Sequence, residues 1–132
     1  MGSREKSIKY YVNEEKRTVV AVMEDTSNSV VDFILANNNN VNISTLNEKK
    51  YQIKDKYLAK AVCHKDDVFD VEVGKEIAKY KVLFLHYKDF YNKVNEWVCN
   101  TQLEIKRMEL KSTEKYFSVV NKMRNSLEKT IM

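Results

Sequence analysis

The longest pattern in the chain starts at Val73. Apolar or small side chains recur at Val73, Ile77, Tyr80, Phe84, Tyr87, Tyr91, Val94, Val98, Thr101, Ile105 and Met108. The steps alternate between four and three. A straight helix buried along one face drifts off such a register, whereas a 3.5-residue period sustained over several turns predicts a left-handed coiled coil. The stripe resumes at Ser112, Tyr116, Val120, Met123 and Leu127 after a four-residue stutter. Neither Pro nor Gly interrupts residues 75–132. A single helix of that length would run roughly 85 Å at 1.5 Å per residue, longer than a head of about 70 residues can cover. The seam therefore calls for another helix. It comes from a fold-back near Lys111 to Glu114 or from a second chain, and the lack of turn residues there favours the second chain. Leu83, Phe90 and Trp97, seven apart, fall on the g positions, where ordinary zippers carry charge. They widen the stripe and imply that the helix also packs on the head, on further helices or on a ligand.

The preceding residues read differently. Ser7 to Val12 and Arg17 to Met23 are rich in β-branched and aromatic residues, with polar Asn13-Glu14-Glu15-Lys16 between them, which predicts a β-hairpin. Asp25-Thr26-Ser27-Asn28-Ser29 offers N-caps for a short helix bearing Val30, Val31, Ile34 and Leu35, and Asn37 to Asn40 end it. Two further strand-like stretches, Val41 to Leu46 and Tyr51 to Cys63, flank a polar turn at residues 47–50. Asp70 suits the N-cap of the long helix, and Glu72 its positive end. Capping is the better reading of the aspartates in the turn from His64 to Asp70 than metal binding, since the glycine and terminal glutamate of an EF-hand are missing. The expected fold is α+β: a small antiparallel sheet with a short helix, then a long C-terminal helix forming an intermolecular coiled coil. The expected division is a head at residues 1–70 and a coiled-coil helix at 71–132, one structural domain overall.

Composition narrows the function. The chain has 132 residues, 43% hydrophobic and 32% charged, as a folded chain does, with a net charge of +4. The basic residues are scattered, which argues against a nucleic-acid partner. No apolar run would span a membrane and no secretory segment opens the chain, so a cytoplasmic protein is expected. Cys63 and Cys99 stand alone and read as reduced thiols. Two glycines leave no phosphate loop or dinucleotide fingerprint, and His64 and His86 carry no catalytic motif. Nothing pairs a nucleophile with a base. The expectation is a protein that binds and does not catalyse, with no cofactor and no metal.

The segment from Lys60 to Ala78, a strand ending in Lys-Ala-Val-Cys, an acid-rich turn and a Gly-Lys-x-x-Ala helix start, resembles small phage proteins of low-GC Gram-positive hosts. With Arg17-Thr18-Val19-Val20-Ala21-Val22 ahead of it, the layout is similar to the Thoeris anti-defence sponge family. The resemblance implies a phage protein, in the host cytoplasm, that sequesters a nucleotide immune signal without cleaving it. Such signals include glycocyclic ADP-ribose and cyclic di- or trinucleotides. That family uses a helix aromatic, an asparagine ten residues later, and arginines on the phosphates. Phe90 and Asn100 have that spacing, on neighbouring faces (g and c) roughly 15 Å apart along the axis. Phe90 would stack a base and Asn100 read its edge. Arg17 on the hairpin, with Arg107 or Arg124 on the helix, would hold phosphate, because a guanidinium donates bidentately. The expected partners are a small nucleotide and further copies of the chain, as a dimer or higher homo-oligomer. The competing reading is a phage inhibitor that docks on a host defence enzyme, as an anti-CRISPR does.

Overall fold

The computed structural model describes residues 7–38 and 46–131. Its elements are β1 (Ile8–Asn13), β2 (Thr18–Glu24), α1 (Ser29–Asn37), a single 3₁₀ turn (Lys49–Tyr51), β3 (Lys56–Val62) and α2 (Val71–Ile131). The three strands form one antiparallel sheet in the order β1-β2-β3. The α+β architecture, the hairpin, the short helix and the long helix are those the sequence predicts. The expected strand at residues 41–46 falls almost wholly outside the described residues. The stretch from Tyr51 begins as the 3₁₀ turn, and its strand starts only at Lys56.

Two compact units divide within α2, one ending at Asn95 and the other beginning at Glu96. In the first unit the register aligns one face of all three strands. Met23 pairs with Ile8 and Tyr57, Ala21 with Tyr10 and Ala59, and Val19 with Val12 and Ala61. Side chains alternate across a strand, so these residues share a side. There Val19, Ala21, Met23, Tyr57 and Ala61 join Ala78 and Val82 of α2 in one buried cluster. Ile8, Tyr10 and Leu83 pack on its margin, so Leu83 of the g row does reach the head core.

The helix face on this cluster is not the seam. Gly74, Ala78, Val82 and His86 step by four along α2, and the last three are buried. In the heptad numbering they fall at e, b, f and c, largely the back of a zipper helix. The seam residues Val73, Ile77, Tyr80, Phe84, Tyr87 and Tyr91 are exposed. Small residues explain the choice of face. A Cβ built on Gly74 would lie 2.7 Å from Val19 Cγ2, so only glycine admits β2 this closely. Asp70 caps the helix as expected, its Oδ1 accepting from the Glu72 and Val73 amides at 3.0 and 3.3 Å.

The connection from β2 to α1 is stitched to the chain ahead of β3. Buried Thr26 donates its hydroxyl to the Lys54 carbonyl at 2.6 Å, and its amide to Asp55 O at 3.3 Å. Asn28 occupies the N-cap of α1 without capping through its side chain. Its amide oxygen accepts instead from Gln52 Nε2 at 2.9 Å.

In the second unit α2 runs from residue 96 as helix alone. Leu103, Ile105, Met108, Leu110, Tyr116, Phe117, Val119, Met123 and Leu127 are all exposed there. Among the described residues, no helix is long and apolar enough to cross a membrane.

Gly74→Ala is expected to lower stability by about 1–2 kcal/mol in urea denaturation: overpacking against the fully buried Val19 outweighs the gain in helix propensity. In a Val19→Ala background, which vacates the colliding methyl at its own cost in core packing, Gly74→Ala should be less destabilising, so a double-mutant cycle should show the two positions coupled.

Candidate ligand-binding site

Of the sequence-predicted site residues, Arg17 and Phe90 lie in the first unit. Asn100, Arg107 and Arg124 lie in the second. Arg17 closes the hairpin turn at φ 53°, in the left-handed region that few side chains adopt. Its amide donates to Glu14 O at 3.2 Å, and its carbonyl accepts from Cys63 N at 2.9 Å. The guanidinium spans the acid-rich turn, donating to the carbonyls of Lys65 and Asp67 and contacting Cys63 Sγ at 3.5 Å. Its donors tie the segment after β3 to the hairpin. Phe90 is half-buried in an aromatic group built from both helices. Phe33 of α1 meets it edge-on at 5.2 Å, and Tyr87 at 5.7 Å. Phe90 thus seats α1 on α2. Arg107 and Arg124 are exposed and Asn100 is half-exposed.

Beside Phe90 lies His86, only 3% exposed. Ser29 Oγ donates to Thr26 O at 2.8 Å and lies 3.3 Å from His86 Nε2. Since that hydroxyl proton is already committed, Nε2 carries the imidazole proton and donates to Ser29. Nδ1 is left as a buried lone pair with no partner among the described residues. Burial pushes the imidazole below its ordinary value, against the pull of the Asp89 carboxylate. Tyr57 packs edge-on to His86 at 5.3 Å and donates its hydroxyl to Asp89 Oδ2 at 2.7 Å. Burial first, then the hydrogen bond and charge of Asp89, raises the Tyr57 phenol well above its ordinary range. This cluster joins α1, β3 and α2 as a packed polar-aromatic contact, with the Ser29 hydroxyl turned to the Thr26 carbonyl.

The open space lies along β3. A groove of about 590 Å³ is lined by Ala59 of β3 and by Ile77, Tyr80, Lys81, Phe84 and Leu85 of α2. Its walls are almost wholly apolar, and Tyr80 and Phe84 are aromatic seam residues. Lys81 Nζ donates to Lys60 O at 3.2 Å, which ties the ammonium to the strand. A second hollow of about 270 Å³ adjoins it, lined by Lys54, Lys56, Tyr57, Leu58, Leu85, Lys88 and Asp89. Leu85 belongs to both. The sequence reading had Ile77, Tyr80 and Phe84 only as seam residues and missed the others. Two signals were present: Lys54 and Lys56 stand two apart where the chain enters β3, and Lys81 and Lys88 share the e position.

No family model, curated protein or solved structure matches the chain.

Two outcomes are expected. Because the folded imidazole of His86 titrates below the unfolded one, both forms are neutral above about pH 6.5 and stability there is insensitive to this group. As pH falls below that value the unfolded chain takes up the proton first, so stability drops until the depressed folded value is passed. Urea midpoints across pH 7.5 to 5 should show this fall, and His86→Gln should flatten it. Arg17→Ala is expected to cost about 1–3 kcal/mol by releasing the turn after β3. Amide exchange should then speed up at residues 63–68, with the rest of the first unit still protected.

Proposed function

We propose that the chain is a non-catalytic, oligomeric binding protein that holds a phosphorylated, base-containing small molecule and keeps it from its receptor intact. The ligand class is the cyclic nucleotide immune signal implied by the likeness to the anti-defence sponges. The observation that carries this reading is the groove between β3 and α2. It is apolar, bears Tyr80 and Phe84, and has the few-hundred-Å³ size of a small-molecule site. An exposed aromatic ring beside aliphatic walls suits stacking on a planar base.

Oligomerisation belongs to the same proposal. Ile77, Tyr80 and Phe84 line the groove and are also seam positions, left open by the sheet on the other side of α2. A second copy laid along the seam would bury these apolar residues and close the groove's open side. The helix beyond residue 96 makes the same demand, since an isolated helix in water gains little from propensity alone. Docking on a host enzyme is the second reading. It rests on the same exposed seam, but gives no role to the groove.

Native mass spectrometry with cyclic di- and trinucleotides and ADP-ribose isomers tests the reading. The expected result is an oligomer carrying nucleotide at fixed stoichiometry, released unchanged by heat. Phe84→Ala should remain folded and lose at least tenfold in affinity. Tyr91→Glu with Val98→Glu should dissociate the chains and reduce the helical signal, while the first unit stays folded. A monomer at micromolar concentration, or no nucleotide bound by the oligomer, would overturn the proposal.

A further inference from the structure

We infer that the hollow beside the groove is an anion subsite, in which Lys54, Lys56 and Lys88 hold a phosphate or diphosphate group. The inference rests on the binding role proposed above and names the part of the ligand that the apolar groove cannot satisfy.

Three lysines and one aspartate line this hollow. The carboxylate, Asp89, already accepts the Tyr57 hydroxyl at 2.7 Å. Its lining therefore keeps a positive excess suited to a dianion. Lys56 is held only loosely, 4.0 Å from Glu24, and Glu24 also lies 3.5 Å from Lys9. The Lys54 ammonium sits 5.7 Å from the Tyr57 ring, a contact that leaves its protons available.

The heptad register supplies an independent reason. Lys88 stands at an e position. In an ordinary zipper such a lysine pairs with an acidic g residue of the facing helix. The g residue that a parallel, in-register copy would set against Lys88 is Leu83, five positions earlier, whereas the acids of that row, Glu76 and Glu104, stand turns away. Such a copy brings no acid to Lys88, so oligomerisation leaves its charge for another anion. Leu85 lines both spaces, which puts the anion subsite against the groove where a base would stack. One molecule with a planar apolar part and a charged part can fill both.

Isothermal titration with inorganic pyrophosphate tests the subsite apart from base recognition. The full chain should bind pyrophosphate, more weakly as salt is raised. Lys88→Gln, and Lys54→Gln with Lys56→Gln, should each weaken it at least fivefold without moving the melting curve. Lys111→Gln, on the exposed helix of the second unit, should match the parent. Phe84→Ala should keep pyrophosphate and lose nucleotide. Pyrophosphate binding that depends on these lysines, in a chain that binds no nucleotide, would uphold the subsite and sink the proposed function. Nucleotide binding unchanged in the lysine variants would uphold the function and overturn the subsite, as would an absence of pyrophosphate binding.

Discussion

Gly74 brings α2 down on β2 closely enough for Val19 to meet the helix where a side chain would otherwise stand. Ala78 and Val82 continue that contact one and two turns on, both fully buried. Because the sheet is met by this face, the helix reaches the head with the side a zipper would turn to solvent. The heptad seam is then left open, although it is the most apolar stripe in the chain. Nearly everything else follows from that orientation. The groove exists because the seam runs alongside β3 without resting on it, and the e-position lysines face the strand's margin because the seam does not.

The sequence made the elements legible where their chemistry was local. The β-branched run within Thr18–Glu24 and the polar turn ahead of it marked the hairpin. Asp70 marked the start of the long helix, and its carboxylate does cap that helix. The seam was legible as a period, yet the face that packs on the sheet was not. Gly74, Ala78 and His86 carry little hydrophobic signal, so a pattern of apolar residues passes over them. What they contribute is smallness and an edge-on ring, which only the packing displays. Likewise, the family resemblance drew notice to Arg17 as a phosphate ligand, whereas its geometry is that of a brace across the turn after β3. Phe90 was legible as an aromatic out of place in a zipper. That its first neighbour is Phe33, far away in sequence, was not. Lys54, just ahead of β3, and Lys88 share a hollow only because that strand's start and α2 lie side by side, and no spacing encodes that.

The polar-aromatic cluster and the open space beside it divide the helix between two tasks. His86, Tyr57 and Phe90 hold α1, β3 and α2 together through edge-on rings and two hydroxyl contacts. Tyr80, Phe84 and Leu85, on another face of the same stretch of helix, stay exposed. Rigid packing on one face and open aromatic surface on another is how a scaffold holds a surface in shape while leaving it accessible.

β3 is an edge strand, and edge strands are where folded chains join one another improperly. Along it stand Lys56 and Lys60, and the Lys60 carbonyl already accepts the Lys81 ammonium. A neighbouring strand sliding into register would have to displace that ammonium and bring its backbone up against a row of like charge. Lys56, which also lines the proposed anion subsite, thus helps to repel edge-to-edge pairing. In the proposed role, action by occupancy, the chain would have to accumulate to the level of what it holds, and at such levels freedom from self-aggregation matters as much as affinity.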